Sequence, residues 1–92
     1  MMYKFREFSI PERMMGGIRR YLDQGIEPGS FLRAVICNDL KEAVGAADDE
    51  NLANLPAYVA YFYNEAPCGS WGSVEAFDGW LNRDWFFSEE VA

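Results

Sequence analysis

Any chemistry in this chain is done without histidine, since none occurs among its 92 residues. That removes His-assisted serine and cysteine nucleophiles, His-based metal sites and the Glu-x-x-His di-iron pattern. The two cysteines, Cys37 and Cys68, are too far apart in sequence for a zinc spacing. Asp48, Asp49 and Glu50 are adjacent but lack the alternating Asp-x-Asp-x-Asp-Gly frame of a calcium loop, and they suit the positive end of a helix. Asp39 and Glu42 stand three apart and could pair for acid–base work. They lie among Arg33, Asn38 and Lys41, which reads as a solvated helix face. Gly16-Gly17 sits inside a helical pattern with no Lys-Ser/Thr after it, so it is no phosphate loop. The sequence therefore assigns no catalytic residue, no metal and no cofactor, and it predicts a non-enzymatic binding protein.

Charge offers two binding surfaces. Residues 1–41 hold seven Lys/Arg against five Asp/Glu, a net of +2. Residues 42–92 hold Arg83 alone against ten Asp/Glu, a net of −9. Within the basic part, Arg13 and Arg20 are seven apart on a predicted helix, hence on one face and about 10 Å apart along its axis. Such a pair can straddle nucleic-acid phosphates, or it can pair with the acidic half of the same molecule. The acidic set includes Asp48, Asp49, Glu50, Glu75 and Asp78. Carboxylates spread in this way either form a solvated face or imitate phosphates on a partner's basic surface. Trp71, Trp80, Trp85 and Phe87 are candidate aromatic anchors. The partner-binding residues predicted are Arg13, Arg20, Asp48, Asp49, Glu50, Glu75, Asp78 and Trp71.

These residues must be positioned by a small fold. Ninety-two residues, half of them apolar, predict one domain over residues 1–92. The N-terminus shows no signal peptide and no run reaches eighteen apolar residues, so a cytosolic protein without a membrane span is expected. The clearest element is an amphipathic helix over Ser30–Gly45, with Phe31, Leu32, Val35, Ile36, Leu40, Ala43 and Val44 on one face. Before it, a helix over Ser9–Gly25 carries a Ser9/Glu12 capping box, Pro11 in the first turn, and an inner stripe of Met14, Ile18, Tyr21 and Leu22. The Gly16-Gly17 pair implies close approach of another backbone, and Gly25 ends the helix. A short turn through Pro28 and Gly29 makes the two helices a hairpin.

Asp48 caps a short helical turn anchored by Leu52 and Leu55. Asn54 offers a second cap for a helix over Pro56–Glu65. A loop, APCGSWGS, leads to a last helix capped by Ser73, with Phe77, Trp80 and Leu81 inside. Met1–Phe8 alternates aromatic and charged residues, as an extended arm or a short strand without a visible partner. The fold class expected is all-α, with about four helices. The expected core also takes in Leu40, Leu55, Val59 and Phe62.

The segments IPERMMGGIRRY, GIEPGSFLRAVICNDL, ADDENLANLPAYV and YNEAPCGSWGS resemble a family of small proteins carried by tailed phages and prophages. The resemblance covers roughly Ile10–Leu81, and GSFLRAVICNDL and YNEAPCGSWGS are its most specific parts. It implies a phage setting, hence the cytoplasm of an infected bacterium. It further implies similarity to anti-CRISPR proteins that act on type I-F systems, which rarely share motifs, so no residue receives a role from it. The activity implied is stoichiometric binding to the basic surface of a CRISPR-Cas surveillance complex, with contact to the guide-RNA backbone, that blocks target DNA. The competing reading is a phage adaptor, or a small-ligand sequestering protein, acting on another host system.

Overall fold

The computed structural model describes residues 3–83. The chain opens with a two-stranded antiparallel hairpin, β1 (Lys4–Phe5) and β2 (Phe8–Ser9), in register Lys4↔Ser9 and Phe5↔Phe8. The missing strand partner is thus four residues away. Arg6 makes this possible by taking a positive φ of 57°, which a two-residue hairpin turn requires at a central position. Among the described residues six helices follow: α1 (Glu12–Gln24), α2 (Ser30–Ile36), α3 (Leu40–Ala46), α4 (Asp49–Ala53), α5 (Leu55–Glu65) and α6 (Val74–Leu81). The described residues are mostly helical with one small sheet; the short α4 followed by α5 matches the expected restart near Pro56, while the single helix expected over Ser30–Gly45 is divided into α2 and α3.

α1 starts after Pro11, whose extended backbone precedes the first turn, and no side chain caps it. The expected capping box is not formed because Ser9 belongs to β2, where its N–H donates to Asn54 Oδ1 at 2.9 Å. Asn54 is therefore spent tying the hairpin to the α4–α5 junction, and it caps α5 with no side-chain bond. Along α1 the buried residues are Met15, Ile18, Tyr21 and Leu22, with Met15 in the place expected for Met14. Gly25 ends the helix in the left-handed region (φ 67°), and its N–H donates to the Tyr21 carbonyl at 3.0 Å. Among the described residues no second backbone approaches the Gly16-Gly17 pair. A Cβ on Gly17 would meet the Leu32 side chain at 3.3 Å, and one on Gly16 would meet the Arg20 guanidinium at 3.2 Å.

The helix expected over Ser30–Gly45 breaks at Cys37-Asn38-Asp39. Asn38 has φ 62°; its N–H donates to the Val35 carbonyl, and the Asp39 N–H donates to the Ala34 carbonyl. This is a Schellman ending with asparagine in the left-handed position. Asp39 restarts the chain as the α3 cap, its Oδ1 accepting the Glu42 N–H at 3.2 Å. The break rotates the apolar stripe. Phe31, Leu32, Val35 and Ile36 stay buried, but Leu40 is 69 % exposed and Val44 faces solvent, contrary to the sequence pattern.

Tyr21 joins the far ends of the chain. Its hydroxyl donates to the Ser70 carbonyl at 2.7 Å, its carbonyl accepts the Trp80 indole N–H at 2.9 Å, and its ring stacks on Phe77. The loop 66–73 is drawn inward by these bonds. Ser70 is fully buried, and the Gly72 N–H donates to the Ile36 carbonyl at 2.7 Å. Gly69 and Gly72 take φ of 90° and 110°, which explains glycine at both places. On the other flank Tyr58 sits edge-on to Phe31, and its hydroxyl donates to the buried Asn51 side chain. Asn51, rather than the exposed Leu52, anchors α4.

Candidate functional site

Asp48 caps α4, its Oδ1 accepting the Asn51 N–H at 2.8 Å. The cap points Oδ2 outward, where Arg13 Nη2 of α1 donates to it at 2.9 Å. The same guanidinium donates to Glu50 Oε1 through Nη2 at 2.9 Å and Nε at 3.1 Å. Three of the predicted partner-binding residues thus form one internal, solvent-exposed cluster. Glu50 first and Asp48 second push the Arg13 pKa further up. The Asn51 N–H, with Arg13 assisting, holds the Asp48 carboxyl below its ordinary range. Exposed ion pairs of this kind are weak contributors to stability, but they occupy the charges concerned.

The other predicted residues are distributed over the surface. Asp49 lies exposed in the first turn of α4. Arg20 is exposed, with its guanidinium folded over Gly16. Trp71 is half-buried against Phe62, with ring centroids 6.0 Å apart. Trp85 and Phe87 lie outside the described residues.

Asp78 has company that local spacing does not reveal. Ser73 starts α6 by accepting the Ala76 N–H at 3.0 Å, which sets Glu75 and Asp78 on exposed positions one turn apart. The N-terminus of α6 meets the α2–α3 break. There a hollow of about 280 Å³ is lined by Ser30, Arg33, Ala34 and Cys37 of the α2 side, Asp39 and Glu42 of the α3 side, and Val74 of α6. The half-buried Cys37 thiol reports the local field. Burial pushes its pKa up, Asp78 and Asp39 push it the same way, and Arg33 opposes them. Arg33 is also held over the Phe77 ring, 5.7 Å from its centroid. The hollow beside the break at Asn38 thus gathers the Asp39 and Glu42 carboxylates with Arg33, and Asp78 of α6 acts on the same Cys37 thiol. A recess lined by two carboxylates and one arginine suits a cationic side chain. Its thiol is driven away from the thiolate and is poorly set up as a nucleophile.

A second surface differs in kind. Helix α5 runs Leu55–Tyr63 without one charged or amide side chain. Tyr58 and Phe62 enter the core, and Tyr61 packs edge-on to Tyr3 near the hairpin. The remaining face forms an open apolar groove of about 580 Å³ with Phe5, lined by Leu55, Pro56, Val59, Ala60, Tyr63 and Asn64. Val59, expected in the core, is 45 % exposed here, and Tyr63 is 76 % exposed.

Among the described residues, no group of three or more cysteine, aspartate or glutamate side chains is placed to hold a metal ion. No helix among them is long and apolar enough to cross a membrane. Among protein-family models, curated proteins and solved structures, none matches this chain.

Proposed function

We propose that the protein is a non-enzymatic inhibitor that binds the basic surface of a partner protein through the acidic face at the α2–α3 break. The observation that carries this reading is the hollow lined by Asp39 and Glu42, with Asp78 of α6 acting on the Cys37 thiol that lines it. Asp48 and Glu50, by contrast, are occupied by Arg13. In the phage setting that the sequence resemblance implies, the partner is a type I CRISPR-Cas surveillance complex. Its rows of Lys/Arg receive target DNA, and carboxylates seated on them displace that DNA by charge mimicry. Arg20, exposed on α1, is the residue best left to meet a guide-RNA phosphate, since Arg13 is engaged internally.

The test is capture of the complex by the tagged protein, followed by a gel-shift with target DNA. The proposal expects loss of DNA binding at saturating protein, relief as salt rises, and loss of capture by the double reversal Glu75→Lys with Asp78→Lys. Undiminished DNA binding at saturation overturns it. The adaptor reading is favoured instead if capture of a different host protein survives both high salt and that double reversal.

A further inference from the structure

We propose that α3 is a strap along one side of the hollow, anchored at both ends, that opens while the rest of the fold stays closed. Its hold on the body is slight. Of its seven residues only Ala43 is buried, whereas Leu40 is 69 % exposed and Val44 faces solvent. Among the described residues, no side chain of α3 makes a hydrogen bond or ion pair with another element; the one side-chain bond is the Asp39 cap to the Glu42 N–H. A helix of two turns is marginal by itself, and Gly45 in its last turn weakens it further.

The segments on either side are held firmly. On the α2 side Ile36 is fully buried, and its carbonyl accepts the Gly72 N–H at 2.7 Å. On the α4 side the buried Asn51 accepts the Tyr58 hydroxyl, and Arg13 donates to Asp48. Between these posts the backbone leaves helical geometry at Asn38 (φ 62°) and Asp39 (ψ 86°), and again at Ala47 (ψ 139°). Joints at the ends of an element are where hinge motion is absorbed. An element with few buried contacts opens locally at less cost than unfolding the whole domain.

The consequence is a change of charge in the hollow, and it rests on the acidic-face reading above. Glu42 rides on the strap and Asp39 is at its hinge, whereas Arg33 and Cys37 belong to the α2 side. Arg33 stays over the Phe77 ring of α6. Closed, the hollow sets two carboxylates against one arginine. Open, it keeps Asp39 against Arg33, and the excess of negative charge is gone. A cationic side chain seated against Glu42 and the body bridges strap and body, so its binding holds the strap closed.

The experiment is native-state hydrogen exchange followed by NMR on the free, full chain. It compares the α3 amides of Ala43, Val44 and Ala46 with the amide of the buried Phe62 in α5. Corrected for intrinsic rates, the α3 amides should exchange at least about a hundredfold faster, as a local opening does relative to global unfolding. Ile18→Val loosens the core at α1 and should speed the Phe62 amide about two- to tenfold. It should leave α3 unchanged, because α1 keeps its packing when only the strap opens. Asp39→Ala removes the cap and should speed the α3 amides about fivefold. The proposal is overturned by α3 amides as slow as that of Phe62, by α3 rates that follow Ile18→Val in step with it, or by α3 rates that ignore Asp39→Ala. The measurement uses the protein alone, so the strap and the inhibitor reading can each fail without the other.

Discussion

Replacing Asn38 decides whether the chain between Ser30 and Ala46 is one helix or two, and the two answers differ in sign. In the broken form Asn38 stands at φ 62° with its N–H bonded to Val35. A left-handed backbone costs an ordinary L-residue roughly 1–2 kcal/mol, asparagine less, and glycine almost nothing. Asn38 is exposed, so little packing is lost on substitution. Asn38→Ala should therefore destabilise by about 1 kcal/mol, and Asn38→Gly should be neutral or stabilising. For a domain of this size 1 kcal/mol moves Tm by roughly 4–8 °C. A continuous helix reverses the order, because alanine is then better than asparagine by about 0.5 kcal/mol and glycine worse. Thermal and urea unfolding followed by circular dichroism read this directly. A higher Tm for Asn38→Ala than for Asn38→Gly refutes the break, and with it the placement of Asp39 and Glu42 beside α6.

Two further predictions concern the core and the ion cluster. Tyr21→Phe removes the hydroxyl that donates to the buried Ser70 carbonyl and should cost about 1–3 kcal/mol in urea unfolding, since an unpaired carbonyl is left inside. Burial also raises the Tyr21 pKa; its stabilising share is whole below the unfolded value near 10 and is lost as pH climbs past it. Tyr21→Phe should accordingly flatten the alkaline fall in stability. Asp48 titrates in the opposite direction. Its folded pKa is lowered by the Asn51 N–H and Arg13, so its share is present above the unfolded value of about 3.9 and disappears as pH falls through the folded value. Asp48→Asn should blunt the acid limb of a stability-versus-pH curve; an unchanged limb would contradict the cap geometry.

Local chemistry was readable where a residue type has one strong reason to be there. Gly25 ends α1, Asp48 and Ser73 cap α4 and α6 through their side chains, and Phe77 and Trp80 face inward as their spacing requires. Periodicity misled where a turn left no mark on it. Leu40, Ala43 and Val44 continue the stripe of α2 in phase, so the apolar pattern bridges a break that only the Asn-Asp pair betrays. In α5 the pattern contained too much rather than too little. Val59 and Tyr58 are both apolar, and nothing local says which of them meets the core. The ordering of charge was the least legible. Arg13 finds Asp48 and Glu50 thirty-five and thirty-seven positions away. Asp78 of α6 comes near Cys37 at the α2–α3 break only through tertiary packing.

The most direct test of the functional account is affinity capture from bacteria with an active type I CRISPR system, comparing the wild type with the Glu75→Lys, Asp78→Lys double variant. The account predicts that Cas subunits and guide RNA co-purify with the wild type in low salt, and that the double variant, folded by circular dichroism, recovers neither. Recovery of the same complex by both proteins, or by neither, contradicts it.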